Sequence, residues 1–260
     1  MSQVISRDGT VIDYETLGHG PSVVLVDGAM CFRDSGPMRP LAALLAERLT
    51  VHAYDRRGRG RSGDTRPHAV EREVEDLAAL IEATGGTAAL VGISSGGALA
   101  LTAAAALGAD RVDRVAVFEP PFMPSQALPG AAAYTAELTA ALAGNRPDQA
   151  VAAFLRRVGT PPDVIDGLRG SPAWAGMEAI APTLAYDDAA MGDSTVTIWL
   201  ADVGVPVLAL AGGASPAFLR FGAEEVARAV PDGRFVLLDA QGHDAGAEAL
   251  ATQLTPFLAG

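Results

Sequence analysis

The five residues Gly92-Ile93-Ser94-Ser95-Gly96 constrain this chain more than any others, because of what flanks them. A short apolar stretch, Thr87-Ala88-Ala89-Leu90-Val91, precedes them and reads as a buried strand. The alanine- and leucine-rich run from Gly97 to Ala106 follows and reads as a helix. Glycines on either side of a serine at a strand-to-helix turn let neighbouring backbone approach closely, while the sharp turn holds the serine in a strained conformation. The serine oxygen then stands at the carboxyl edge of a sheet beside a helix amino terminus, where negative charge is favoured. Ser94 is therefore a candidate nucleophile. Ser95 does not fit the Gly-x-Ser-x-Gly register, and its backbone N–H is a candidate oxyanion donor instead.

A turn of this kind needs a parallel sheet around it, and the chain supplies one. Residues 10–17 alternate polar and apolar, as a strand with one exposed face does. Ser22-Val23-Val24-Leu25-Val26 is continuously apolar, which suits a strand covered on both faces. A helix over 38–48, a strand over 50–55, a loop over 56–68 rich in glycine and arginine, and a helix over about 69–84 lead to the elbow. After it come a strand at 114–119 and, much later, a strand at 205–210, a helix at 216–229, a last strand at 234–239 and a closing helix at 246–258. Alternating strands and helices predict an α/β fold with helices on both faces of the sheet. The rhythm breaks at Pro120-Pro121. Residues 122–192 hold Ala-rich helical segments punctuated by proline, so we read a core of 1–121 and 193–260 with a helical cap inserted at 122–192.

Composition narrows the classes of function. A net charge of −12 argues against nucleic acid and anionic membranes as partners, since both need a basic face. No apolar run has the length of a membrane span, and the first residues lack a basic region followed by an apolar core. The expectation is therefore a cytoplasmic protein. Cys31 is the single cysteine, so no intramolecular disulfide forms. All 19 basic residues are arginine, which removes Schiff-base chemistry on lysine. No cluster has metal-ligand spacing, and neither a metal nor a cofactor is expected. Gly58-Arg59-Gly60-Arg61-Ser62-Gly63 has the spacing of a dinucleotide loop, but a turn follows it in place of the required helix. The partner expected is a small-molecule substrate; the oligomeric state is not legible.

Several motifs in fixed order resemble those of the α/β-hydrolases, over nearly the whole length. They are the elbow, the loop Tyr54-Asp55-Arg56-Arg57-Gly58-Arg59-Gly60-Arg61-Ser62, the strand Val205 to Gly212, and Gly242-His243 after the last strand. The resemblance implies the α/β-hydrolase fold and, for His243, the role of general base. Two departures matter. The family often writes His-Gly where this chain has Asp27-Gly28. Where an aspartate often follows the seventh strand, this chain reads Gly212-Gly213-Ala214-Ser215-Pro216. Some members of the fold carry the acid after the sixth strand, which is where Glu119 stands.

These residues make up the candidate site. Ser94 would attack, His243 would take its proton, and Glu119 would accept from the imidazole N–H, unless it pairs with Arg56 or Arg57. Asp239 and Asp244 are fallback acids. The backbone N–H groups of Ala29 and Ser95 would hold the oxyanion. Asp27 is expected to point away and bond to loop N–H groups; the sharper alternative makes it a second acid or base in the pocket. Met30, Cys31, Phe122, Met123 and Trp174 are candidate pocket residues, although the last three also suit the insertion's own core. His19, His52 and His68 read as structural or solvent-exposed. The expected function is a serine hydrolase acting on an ester, thioester or lactone in a small, largely apolar molecule. The rivals are a cofactor-free non-hydrolytic enzyme (C–C lyase, cyclase or isomerase, or perhydrolase) and a non-catalytic ligand-binding protein.

Overall fold

The structure is a computed structural model, and it describes residues 2–196 and 198–260. Eight strands form one sheet: β1 (Ser2–Ile5), β2 (Val11–Gly18), β3 (Ser22–Val26), β4 (Thr50–Tyr54), β5 (Ala88–Ile93), β6 (Val112–Phe118), β7 (Val207–Gly212) and β8 (Gly233–Leu238). Their order across the sheet is β1-β2-β4-β3-β5-β6-β7-β8. The two pairings made by β2 are antiparallel and the rest are parallel. The predicted strands fall where the apolar runs are. β1 was not anticipated from the sequence: of its four residues only Val4 is buried, too short a pattern to stand out.

Successive residues of a strand face opposite ways, and the core divides accordingly. Val23 and Leu25 of β3, with Val91 of β5 and Leu208 of β7, face α1 (Met38–Leu45) and α10 (Ala247–Leu258). Val24, Val26, Leu90 and Ala209 face α2 (Val70–Ala83), α3 (Ser95–Leu107) and α9 (Ala217–Ala229). Burial on both faces explains why the central strands read as unbroken apolar runs rather than as alternation. α3 is apolar nearly all round because it packs on β5 and β6 and lies beneath further helices.

Among the described residues between β6 and β7 there are five α-helices and no strand: α4 (Leu128–Ala143), α5 (Pro147–Arg157), α6 (Pro162–Arg169), α7 (Ala173–Ile180) and α8 (Leu184–Met191). Proline occupies the first turn of α4, α5 and α6, where its missing N–H has no intrahelical partner to lose. The five helices share an apolar core of their own that includes Leu138, Val151, Ile165, Trp174 and Leu184.

Candidate active site

The elbow places Ser94 between β5 and α3 with φ +55° and ψ −129°, a conformation that non-glycine residues rarely adopt. The glycines around it are required by contact. A Cβ on Gly92 would overlap the backbone of Gly96 and Gly97, and one on Gly96 would overlap the carbonyl oxygens of Val26 and Asp27. The turn thus brings α3 against the end of β3. Ser94 N–H donates to Phe118 O (2.9 Å), which ties the elbow to β6.

Glu119 follows β6 directly, again with positive φ (+49°), and is wholly buried. A buried carboxylate must be hydrogen-bonded. Its Oε2 lies 2.6 Å from His243 Nδ1, and its Oε1 accepts from Gly212 N–H at 2.7 Å. With Glu119 ionised, Nδ1 carries the proton and Nε2 is left free to accept one. The last residue of β7 therefore supplies a backbone donor to Glu119, just before the segment where the family often places an acid. Gly212 must be glycine here, since a Cβ would overlap Gln241 O in the loop that carries His243. The imidazole lies nearly parallel to the Phe118 ring, at 16° and 6.1 Å between centroids. Asp239 and Asp244 form no hydrogen bond to it among the described residues. Neither Arg56 nor Arg57 pairs with Glu119; they bond to Glu73, Asp187, Asp76 and Asp8.

Ser94 and His243 line one cavity, without a direct hydrogen bond between them among the described residues. Ala29 lines it too. Gly28 passes so close to Ser94 that a Cβ would stand 3.1 Å from Ser94 Cβ and 2.9 Å from Ile93 O. Neither Ala29 nor Ser95 has its N–H hydrogen-bonded among the described residues; Ser95 opens α3, whose first N–H groups have no intrahelical partner. The rest of the wall is mostly apolar, with Pro121, Met123, Phe154, Val158, Met191, Phe218 and Leu219. Tyr134, Arg157, Asp187 and Asp188 from the cap add polar groups.

Other candidate pocket residues lie elsewhere. Asp27 is buried behind the loop and does not line the cavity. Its Oδ1 has no hydrogen-bond partner, and the expected bonds to loop N–H groups are not made, among the described residues. Burial pushes its carboxyl up to about 7, against the pull of Arg59 and Arg56. Met30 turns at φ +61° and packs on the cap's core, as does Trp174, whose Nε1 donates to Glu178. Phe122 belongs to the core under α3 and α9 and borders a separate cleft. Only Met123 and Cys31 border space that also touches Ser94. Burial, followed by Asp27, raises the Cys31 thiol to about 12, so it is no thiolate nucleophile. His52 sits between Thr16 and Ser22, and His68 stacks on Tyr186, while His19 is exposed.

Sequence reasoning missed Asp187, Arg157 and Tyr134, because a cap helix gives no local sign of which face meets the sheet. Burial holds the Arg157 guanidinium below its usual value, and its one hydrogen bond among the described residues goes to Met123 Sδ. Asp187 accepts from Arg56, Arg59 and Ser95 Oγ.

Comparison with known proteins places this geometry. A family model described as the alpha/beta hydrolase family matches residues 17–252. Among solved structures, an alpha/beta hydrolase from Sphaerobacter thermophilus DSM 20745 is 47% identical, with 98% of this chain and 99% of that one covered and a TM-score of 0.88. A thermophilic esterase from Thermogutta terrifontis is 22% identical (99% and 97% covered, TM-score 0.74). An enol-lactonase from Burkholderia xenovorans LB400 is 24% identical (100% of both covered, TM-score 0.68). At those lower identities the likeness is one of fold. No curated protein matches the sequence.

Proposed function

The chain belongs to the alpha/beta hydrolase family, and we propose that within it this protein is a serine hydrolase, cleaving an ester, thioester or lactone in a small, largely apolar molecule. The observation that carries the reading is the 2.6 Å contact between Glu119 and His243 in a loop that borders the same cavity as Ser94. That contact fixes the imidazole with Nε2 as the acceptor, the tautomer a general base needs. In the proposed cycle, Ser94 Oγ attacks the carbonyl carbon and His243 Nε2 takes its proton. The carbonyl oxygen becomes an oxyanion held by the Ala29 and Ser95 amides, at the positive end of α3. His243 then gives the proton to the leaving group, and water repeats the sequence on the acyl-enzyme. Glu119, held against Nδ1, steadies the imidazolium.

The apolar wall supports a largely apolar acyl or alcohol group, with Tyr134 and Arg157 marking where a polar substituent would sit. Solved structures of the same fold bear the names esterase and enol-lactonase, so carboxylic esters and lactones are the class to test first. The position of Asp27 outside the cavity wall takes away the feature that favoured non-hydrolytic chemistry.

Intact-protein mass spectrometry after exposure to a fluorophosphonate tests the reading. Wild type should gain one adduct and Ser94→Ala none. Glu119→Gln should label roughly 10²-fold or more slowly, since base catalysis is typically worth 10²–10⁴-fold. Unchanged labelling of Ser94→Ala would overturn the assignment.

A further inference from the structure

The two N–H groups assigned above to the oxyanion are on different segments, the loop after β3 and the start of α3, and something must hold both in place. The peptide joining Gly28 to Ala29 is trans and planar, so the Ala29 N–H points opposite the Gly28 C=O. Arg59 Nη1 donates to that carbonyl oxygen at 2.6 Å and to Cys31 O at 3.2 Å. Arg56 Nη1 donates to the preceding carbonyl, Asp27 O, at 3.1 Å. The arginines thus draw the carbonyls of the loop to one side and leave the Ala29 N–H directed to the other. Both guanidiniums are fully buried and end on the same carboxylate, Asp187 of α8. Asp187 Oδ1 also accepts from Ser95 Oγ at 2.8 Å, which pins the residue carrying the second N–H.

We propose that Arg59 and Asp187 are positioning residues for the oxyanion hole, so that the cap, through Asp187, sets the direction of both donors. Arg59 is suited to this because its planar fork serves several acceptors at once: the Gly28 and Cys31 carbonyls, Thr183 Oγ1 and Asp187. A lysine at this position keeps the charge but has no fork. The proposal rests on the serine hydrolase reading, and its test separates the two.

The test compares inhibition of ester hydrolysis by an alkyl trifluoromethyl ketone and by the matching methyl ketone. Ser94 Oγ adds to the fluorinated carbonyl, its proton passes to His243, and the carbonyl oxygen becomes a tetrahedral oxyanion. The methyl ketone only occupies the cavity. Wild type should favour the fluorinated ketone by about 10²-fold or more. In Arg59→Lys and Asp187→Asn that ratio should fall at least roughly 10-fold, with the methyl ketone bound within about 3-fold of wild type and kcat lowered more than KM is raised. A ratio unchanged in both variants overturns the inference and leaves the hydrolase reading standing. A wild type that binds neither ketone and cleaves no ester removes both. If the Arg59 and Asp187 variants do not fold, as judged by circular dichroism, the ratio in Ser95→Ala decides, since that change removes one Asp187 contact and no buried charge.

Discussion

Glu119 reaches His243 from a backbone that turns at φ +49° straight after β6, and that turn is held by the neighbouring strand β7. Its N–H bonds to Leu210 O and its Oε1 to Gly212 N–H, so β7 fixes both ends of the residue. Asp27 is the opposite case, a buried carboxyl with an oxygen left unbonded. The two guanidiniums near it are already matched by Glu73 and Asp187, and desolvation therefore dominates. With its folded pKa near 7 and an ordinary unfolded value of 3.8, the unfolded chain gives up this proton first. Its contribution to stability is then full below about pH 4, falls as pH rises, and levels off above the folded pKa. Asp27→Asn removes the titration. Its stability relative to wild type should rise between pH 5 and pH 8 by up to about 2.6 kcal/mol, since about two units of the shift lie in that window at 1.36 kcal/mol each. Guanidinium melts of both proteins across that range measure the gap, and a gap that stays constant would mean the carboxyl is already ionised at pH 5.

At the level of elements, close approach of backbones decides which substitutions the site tolerates. Gly96 sits where α3 meets the end of β3, so Gly96→Ala would drive the helix off the sheet and carry Ser94 and Ser95 with it. We predict a loss of about 1–3 kcal/mol together with a fall in kcat larger than the change in KM. Gly167, inside α6 with open space around its Cα, supplies the contrast. Gly167→Ala should leave turnover unchanged and gain up to about 1 kcal/mol from helix propensity. Chemical denaturation with parallel kinetics tests both. Most elements were legible because their patterns repeat over several residues: unbroken apolar runs for β3 and β5, proline at the starts of the cap helices. β1 escaped because a four-residue edge strand with one buried side chain carries no pattern to read.

For the whole molecule, two cores are stitched together by a buried ionic network. The cap has its own apolar centre around Trp174, and Asp187 and Thr183 fasten it to Arg56 and Arg59 of the loop after β4. Such pairs are costly to break singly, because the partner left behind is an unpaired buried charge. Trp174→Ala should weaken the cap by about 3–5 kcal/mol. Hydrogen exchange should then speed up over residues 128–191 while β3, β5 and β6 remain protected, and catalysis should decline through the loosened hold on Asp187. Exchange that rises equally in sheet and cap would instead mean that the two unfold as one unit.

The sequence by itself determined the sheet's rhythm, the elbow at Ser94, the order of Ser94, Glu119 and His243, and the break that begins after Pro121. Each is written in residues close together along the chain, where backbone geometry converts spacing directly into shape. The sequence offered Glu119 as one acid for His243 among several, with Arg56 or Arg57 as rival partners, and only the structure puts its Oε2 2.6 Å from His243 Nδ1. Only the tertiary structure decided what surrounds them. It put Asp27, Met30, Phe122 and Trp174 outside the cavity that Ser94 and His243 line and brought Arg157 into it. It also joined Asp187 to Ser95, Arg59 and Arg56 across 92, 128 and 131 positions of sequence. Those pairings depend on how the cap helices cross one another and the sheet. That geometry is the sum of many small packing terms, and no short run of residues encodes it.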